Sequence, residues 1–185
     1  GKSKSILFPT MARMKHMNPV GLYAKEKDAY HMAAYMQSKR YQIEFLNINS
    51  LVKSTVFFDP VYYLDSYGDI EGFSTAVVNN VLEKTADAFW NANAIQLLNS
   101  LTAGAKMLHR NPGLADVLEL FDKTAFPERE YNGSSLDDIF YRIETLYPDC
   151  YAVREYFSWR AMPEKTAASV RATLKGALNA VFPED

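Results

Sequence analysis

The sequence predicts a mainly α fold: a compact helical domain of five or six helices, preceded by a small βαβ-like α/β edge. Three observations carry this. Ala86–Arg110 places Trp90, Ala94, Leu97, Leu98, Leu101, Ala105 and Leu108 at spacings of three and four over six turns, the period of a helix with one apolar face. The segments around it show one-sided apolar stripes that must pack on each other. Near the start, an alternating segment follows an amphipathic one, as in a strand–helix–strand unit.

In chain order, an opening helix comes first. Val20–Tyr23 is a short candidate strand. "KEKDAYHMAAYMQSKR" holds apolar positions at Tyr30, Ala33, Ala34 and Met36 and reads as an amphipathic helix. "YQIEFLNI" sets Tyr41, Ile43 and Phe45 against Gln42 and Glu44 and reads as a strand, parallel to the first. "TVFFDPVYYL" is aromatic and broken by Pro60, an extended crossover. The domain boundary falls here: 1–66 as a partial α/β segment, 67–185 as the all-α domain.

Beyond it, "SYGDIEGF" gives a turn and Phe73–Leu82 a first helix. The long helix Ala86–Arg110 follows. Asn111-Pro112 caps a short helix with Leu114, Val117, Leu118 and Phe121 on one face. "FPEREYNGSS" is a polar loop. Ser134 and Ser135, three ahead of Asp137 and Asp138, approximate a capping box. Their helix lines up Leu136, Ile139, Phe140, Ile143 and Leu146 until Pro148. A helix over Cys150–Met162 comes next. The last, "MPEKTAASVRATLKGALNAVF", opens on Pro163 and Glu164 and stops before Pro183.

Composition narrows the function classes. With 185 residues, 48% hydrophobic and 14% aromatic, the chain can bury a core. A net charge of −2 is no bulk mark of a nucleic-acid binder. The single cysteine, Cys150, excludes an internal disulfide framework and reads as a small core hydrophobe. No apolar run reaches the roughly 20 residues of a membrane span. His16, His31 and His109 are scattered, without zinc-ligand spacing, so no metal is expected. No nucleophile elbow or dinucleotide fingerprint occurs, and Asp137-Asp138 read as acids favoured at a helix N-terminus. No catalytic residue is assigned. Both ends look cut, as in a piece of a larger protein.

Two stretches carry candidate sites. Gly1-Lys2-Ser3 matches the last three residues of a Walker A loop, where Lys2 would hold phosphates and Ser3 magnesium. The first part of the loop is absent, so Lys2 and Ser3 are at most a nucleotide-binding remnant. On the last helix, Val170, Leu174, Ala177 and Val181 form a core stripe. The opposite side gathers Lys165, Ala168, Ser169, Ala172 and Gly176, flanked by Arg171 and Lys175. Arg154 and Arg160 stand upstream among Tyr151, Tyr156, Phe157 and Trp159. Residues 151–178 hold five Lys/Arg against two acids, a local cationic surface. Arg154, Arg160, Lys165, Ser169, Arg171 and Lys175 are therefore the candidate contact residues. A surface where small side chains simply suffice is the other reading of this helix.

Taken in order, these segments resemble the TraG/TraD-type coupling proteins of type IV secretion and conjugation. "GKSKSILFPTM" resembles the end of that family's Walker A loop and the next helix. "LYAKEKDAYHMAAYMQSKRYQIEFLNI" resembles its strand, helix, strand unit, although Tyr23-Ala24-Lys25-Glu26 keeps only the Lys of the family's Asp-Pro-Lys-Gly. "FFDPVYYL" and "FWNANAIQLLNSLTAG" resemble its next two segments. "YAVREYFSW" and "PEKTAASV" are the most specific matches. The resemblance implies a membrane-anchored, hexameric P-loop ATPase using ATP and magnesium. Its all-α domain recruits DNA–protein or protein cargo, from a relaxosome or a secreted protein, to the channel. Self-association would run through the ATPase domain. This piece, with neither a complete Walker A nor a Walker B, would carry recognition at the cytoplasmic face rather than hydrolysis. A purely structural helical domain that packs in an oligomer is the alternative.

Overall fold

The computed structural model describes residues 8–13, 17–47, 50–79, 88–125 and 135–182. It divides into two units, Gly1–Phe58 and Asp59–Asp185, each built on its own core. The structure is mainly helical. In chain order the helices are α1 (Phe8–Arg13), α2 (Glu26–Ser38), α3 (Tyr67–Asn79), α4 (Ala88–Leu108), α5 (Leu114–Asp122), α6 (Ser135–Leu146), α7 (Tyr151–Arg160) and α8 (Glu164–Val181).

In the first unit, Met32, Ala33 and Met36 form the buried side of α2. The two methionines cluster with Met11 of α1, and Tyr23, Tyr41 and Ile43 pack around them. The tyrosine hydroxyl of Tyr23 donates to Met11 Sδ at 3.1 Å. Helix α2 ends where Arg40 turns to φ 68°. The Arg40 amide then bonds the Gln37 carbonyl (2.8 Å), and the Tyr41 amide the Met36 carbonyl (3.2 Å). This reversal satisfies carbonyls that a helix end leaves open, and it delivers Tyr41 to the methionine cluster.

The expected βαβ edge is not formed. Among the described residues no strand ladder occurs. The alternation in 41–47 is real: Tyr41, Ile43, Phe45 and Asn47 are half-buried and Gln42, Glu44 and Leu46 are exposed. However, the segment bonds to a local loop, not to a parallel strand. The Thr55 amide donates to the Phe45 carbonyl (2.9 Å), and the Phe45 amide to Thr55 Oγ1 (2.7 Å). The Asn47 amide donates to Ser54 Oγ at 2.8 Å. The other expected strand leaves Val20 92% and Leu22 90% exposed. Period-two patterning shows that a segment is extended, whereas a strand also needs a neighbour to take its backbone bonds.

The second unit is organised around α4. Every residue from Leu97 to Ala105 is buried, so this helix is enclosed on all sides. Alternating Leu97, Leu98 and Leu101 with Ser100, Thr102, Ala103, Gly104 and Ala105 lets neighbouring helices come close while still filling space. Helices α3, α5, α6, α7 and α8 pack on α4, and α3 also meets α8. The core runs from Val61 through Ile70, Val78, Val117, Leu136, Phe140, Val153, Tyr156 and Trp159 to Val170, Leu174 and Leu178.

Local chemistry sets the boundaries. Helix α3 begins at Tyr67, earlier than the apolar pattern indicates, because Ser66 and Asp69 cap each other. Ser66 donates its amide (2.9 Å) and hydroxyl (2.7 Å) to Asp69 Oδ2, and the Asp69 amide donates to Ser66 Oγ (3.2 Å). These bonds, led by the one from the Ser66 hydroxyl, hold the Asp69 carboxyl below its ordinary value. The expected extended crossover contains a 3₁₀ turn, Pro60–Tyr63, capped by Asp59, which accepts from the Val61 amide at 2.9 Å. The other oxygen of Asp59 accepts from the Leu114 amide at 2.7 Å. Asp59, 55 residues away in sequence, therefore caps α5 where Asn111 was expected to do so.

Gly113 leaves room for that carboxylate: a Cβ there would lie 2.6 Å from Asp59 Oδ2. Gly113→Ala is expected to cost about 1 kcal/mol, the value of a lost helix cap. Asp59→Ala should cost more, because it also removes the cap on the 3₁₀ turn, and the double variant no more than Asp59→Ala alone, because the cap on α5 is lost only once. Urea unfolding midpoints of the three variants check this.

Candidate functional site

The cationic residues of α7 and α8 share a stretch of sequence, but the structure sorts them into two groups. Arg160 and Arg171 are tied into the fold. Arg154, Lys165, Ser169 and Lys175 face outward.

Arg160 lies at the end of α7. Its Nε donates to Asp137 Oδ1 at 2.9 Å and to Oδ2 at 3.2 Å, and a terminal nitrogen donates to Oδ2 at 3.1 Å. The Tyr156 hydroxyl, one turn earlier, donates to Asp137 Oδ1. Asp137 is 5% exposed and Tyr156 fully buried. Asp137 stands in the first turn of α6 as expected and is also a buried carboxylate that joins α6 to α7; its bond pushes the Arg160 guanidinium upward. Above it Tyr156 stacks on Phe140, ring centroids 4.0 Å apart and planes 10° apart.

Arg171 leaves α8 toward the end of α5. Its Nε donates to Thr124 Oγ1 at 2.8 Å, and its guanidinium carbon lies 4.9 Å from the Phe121 ring centroid. Thr124 is itself buried and donates to the Phe121 carbonyl at 2.6 Å. Arg171 braces α8 on α5 through a hydrogen bond and a cation–π contact.

The outward group is open. Helix α8 buries Ala167, Val170, Leu174, Ala177 and Leu178, which is the expected core stripe except that Val181 is 37% exposed. On the far side Lys165, Ala168, Ser169, Ala172, Lys175, Gly176 and Ala180 are all exposed. Ser169 donates its hydroxyl back to the Lys165 carbonyl at 2.9 Å, so its hydrogen is used within the helix. A Cβ on Gly176 would meet nothing within 4 Å. Among the described residues of the second unit, nothing covers the strip. Arg154 is exposed on α7 near Tyr151. Lys165, Ser169 and Lys175 share one helix face. Lys2 and Ser3 lie outside the described residues.

Sequence reasoning missed Asp137 as the shared partner of Arg160 and Tyr156, and Thr124 and Phe121 as partners of Arg171. Asp137 stands 23 residues from Arg160 and 19 from Tyr156, and Thr124 stands 47 from Arg171, and no spacing rule links them. Cys150 Sγ lies 3.8 Å from Met107 Sδ at the edge of the core. His109 Nε2 lies 3.6 Å from Asp116 Oδ1. Among the described residues no three His, Cys, Asp or Glu side chains gather as metal ligands, and no helix is long and apolar enough to cross a membrane.

The fold and this surface together define a class: a helical bundle around a buried central helix, with one outer helix presenting small residues and lysines. No family model, no curated protein and no solved structure matches the chain.

Proposed function

We propose that the second unit is the substrate-recognition, all-α portion of a conjugative or type IV secretion coupling protein, recruiting DNA–protein or protein cargo to the channel. The observation that carries the reading is the open face of α8. A helix with Lys165, Ser169 and Lys175 around Ala168, Ala172 and Gly176, all exposed among the described residues, is a surface that another backbone can approach closely.

The coupling-protein resemblance supports it segment by segment. "FWNANAIQLLNSLTAG" makes up most of α4, the buried axis. "YAVREYFSW" supplies Val153, Tyr156 and Trp159 to the core. "PEKTAASV" opens α8. In a coupling protein the ATP- and magnesium-dependent steps belong to a complete P-loop domain. The role for this chain is binding, at the cytoplasmic face of the membrane.

The contact set narrows to Arg154, Lys165, Ser169 and Lys175, since Arg160 and Arg171 serve the fold. Lys165→Glu/Lys175→Glu is expected to lower cargo transfer about tenfold while leaving the unfolding free energy within about 0.5 kcal/mol of wild type, as exposed substitutions do. Undiminished transfer would remove the assignment. The structural alternative is favoured if Ala172→Trp changes oligomeric mass and leaves cargo binding intact.

A further inference from the structure

Several hydroxyls of the second unit turn back on their own helix. Ser100 donates to the Leu97 carbonyl at 2.7 Å, Thr145 to the Tyr141 carbonyl at 2.9 Å and Thr173 to the Ser169 carbonyl at 3.0 Å, the usual outlet for such a side chain within a helix. Ser74 on α3 and Thr102 on α4 depart from this. Both are fully buried, and neither hydroxyl has a hydrogen-bond partner among the described residues. Asn99, 5% exposed, leaves its Oδ1 unpaired in the same way.

Three contacts show how α3 lies on α4. Tyr67, which opens α3, stacks on Tyr151, which opens α7, with centroids 4.7 Å apart. Beside Tyr151, Cys150 Sγ lies 3.8 Å from Met107 Sδ at the end of α4. The Asp69 carboxyl, held down first by the Ser66 hydroxyl, also feels the Lys106 ammonium. The start of α3 therefore stands at the end of α4. Since the two helices pack on each other, α3 runs back along α4 in the opposite direction.

That register brings the three polar groups together. Ser74, about 7 Å along α3 from Asp69, comes level with Leu101 and Thr102, the same distance back from Lys106. Asn99, Thr102 and Lys106 recur at spacings of three and four, so they share one side of α4, the side that meets the start of α3. The same register sets Ile70 against Ala105, and Val77 and Val78 against Leu98 and Leu97, all buried. The polar groups thus occupy one level of the interface, with apolar layers above and below.

A buried hydroxyl or amide oxygen without a partner costs free energy, and an internal water needs two to four polar partners. We propose that the α3–α4 interface binds an internal water bridging Ser74 Oγ, Thr102 Oγ1 and Asn99 Oδ1. The hydrogen count closes. Asn99 Oδ1 can only accept, so it takes one proton of the water. One hydroxyl oxygen takes the other, and the second hydroxyl donates to the water oxygen. The water also fixes the register of α3. Sliding α3 by one turn would set Ser74 against Leu97 and Leu98 or against Ala105, and break these bonds.

Oxygen-17 magnetic relaxation dispersion of the whole chain, which counts long-lived waters, tests this. Wild type should hold one such water more than Ser74→Ala/Thr102→Val, with both folded by circular dichroism. Thr102→Ser keeps the oxygen and should match wild type. A crystal structure of wild type should place the water within about 3 Å of all three oxygens. Equal dispersion amplitudes in wild type and the double variant would overturn the proposal. So would a crystal structure in which the two hydroxyls turn to the Ile70 and Leu98 carbonyls and no water lies between the helices. If the double variant does not fold, the wild-type crystal structure decides alone.

Discussion

Asp137→Ala is expected to destabilise the second unit by about 1–3 kcal/mol, the cost of leaving a buried hydroxyl without its acceptor beside a guanidinium that water still reaches. Asp137 receives three hydrogen bonds from Arg160 and one from Tyr156. Its loss strands the Tyr156 hydroxyl in a fully buried position and leaves the guanidinium facing a void between α6 and α7. The partners need not contribute equally. Tyr156→Phe keeps the ring stacked on Phe140 and removes one hydrogen bond, so about 1 kcal/mol is expected. Replacing Asp137 and Arg160 together by apolar residues of similar size should cost less than Asp137→Ala alone, since no charge is left unpaired. Urea denaturation of the four proteins measures this ordering. An Asp137→Ala midpoint equal to wild type would show that the carboxylate is not the joint between the helices.

Gly104→Val is expected to cost about 1–3 kcal/mol through overpacking, although valine is the better helix former. A Cβ at position 104 would stand 2.9 Å from Phe140 Cζ. Phe140 cannot swing clear, because it is fully buried and held face to face against Tyr156. Gly104→Ala should show the same conflict reduced, with part of the steric cost offset by gained helix propensity of roughly 0.5–1 kcal/mol. In a Phe140→Leu background the penalty of Gly104→Val should shrink, which identifies the ring as the obstacle. Thermal unfolding monitored by circular dichroism resolves these differences. A stabilised Gly104→Val protein would mean that α4 and α6 are further apart than the structure places them.

The helical character was legible wherever apolar residues recur on one side. Val117 and Phe121 on α5, Leu136, Phe140 and Ile143 on α6, and Val170, Leu174 and Ala177 on α8 are all buried as their spacing indicates. The enclosure of α4 was less visible, because Asn99, Ser100 and Thr102 look like solvent-facing residues until five helices surround them. In the first unit the period-two pattern of 41–47 identified an extended chain but not its bonding partner, which is set by Ser54 and Thr55 across a loop.

The candidate site divides in the same way. The open strip of α8 could be drawn on a helical wheel, since its neighbours are fixed by the helix itself. Arg160 and Arg171 could not be separated from Lys165 and Lys175, because what distinguishes them is Asp137 on α6 and the Phe121–Thr124 end of α5. Tertiary placement turned two of six contact candidates into braces and left the lysines facing outward. Asp137 keeps its expected place in the first turn of α6 and is in addition the centre of a joint between α6 and α7.

Site-specific photocrosslinking from position 172, under conditions in which the proposed cargo transfer would run, probes the α8 face most directly. A crosslinking side chain there stands between Lys165 and Lys175 on the exposed strip. The expected result is an adduct with a transported protein or with the protein component of the transferred DNA complex, lost in the Lys165→Glu/Lys175→Glu background. Adducts confined to the chain itself, or cargo adducts indifferent to the two lysines, would contradict a recognition role for this helix.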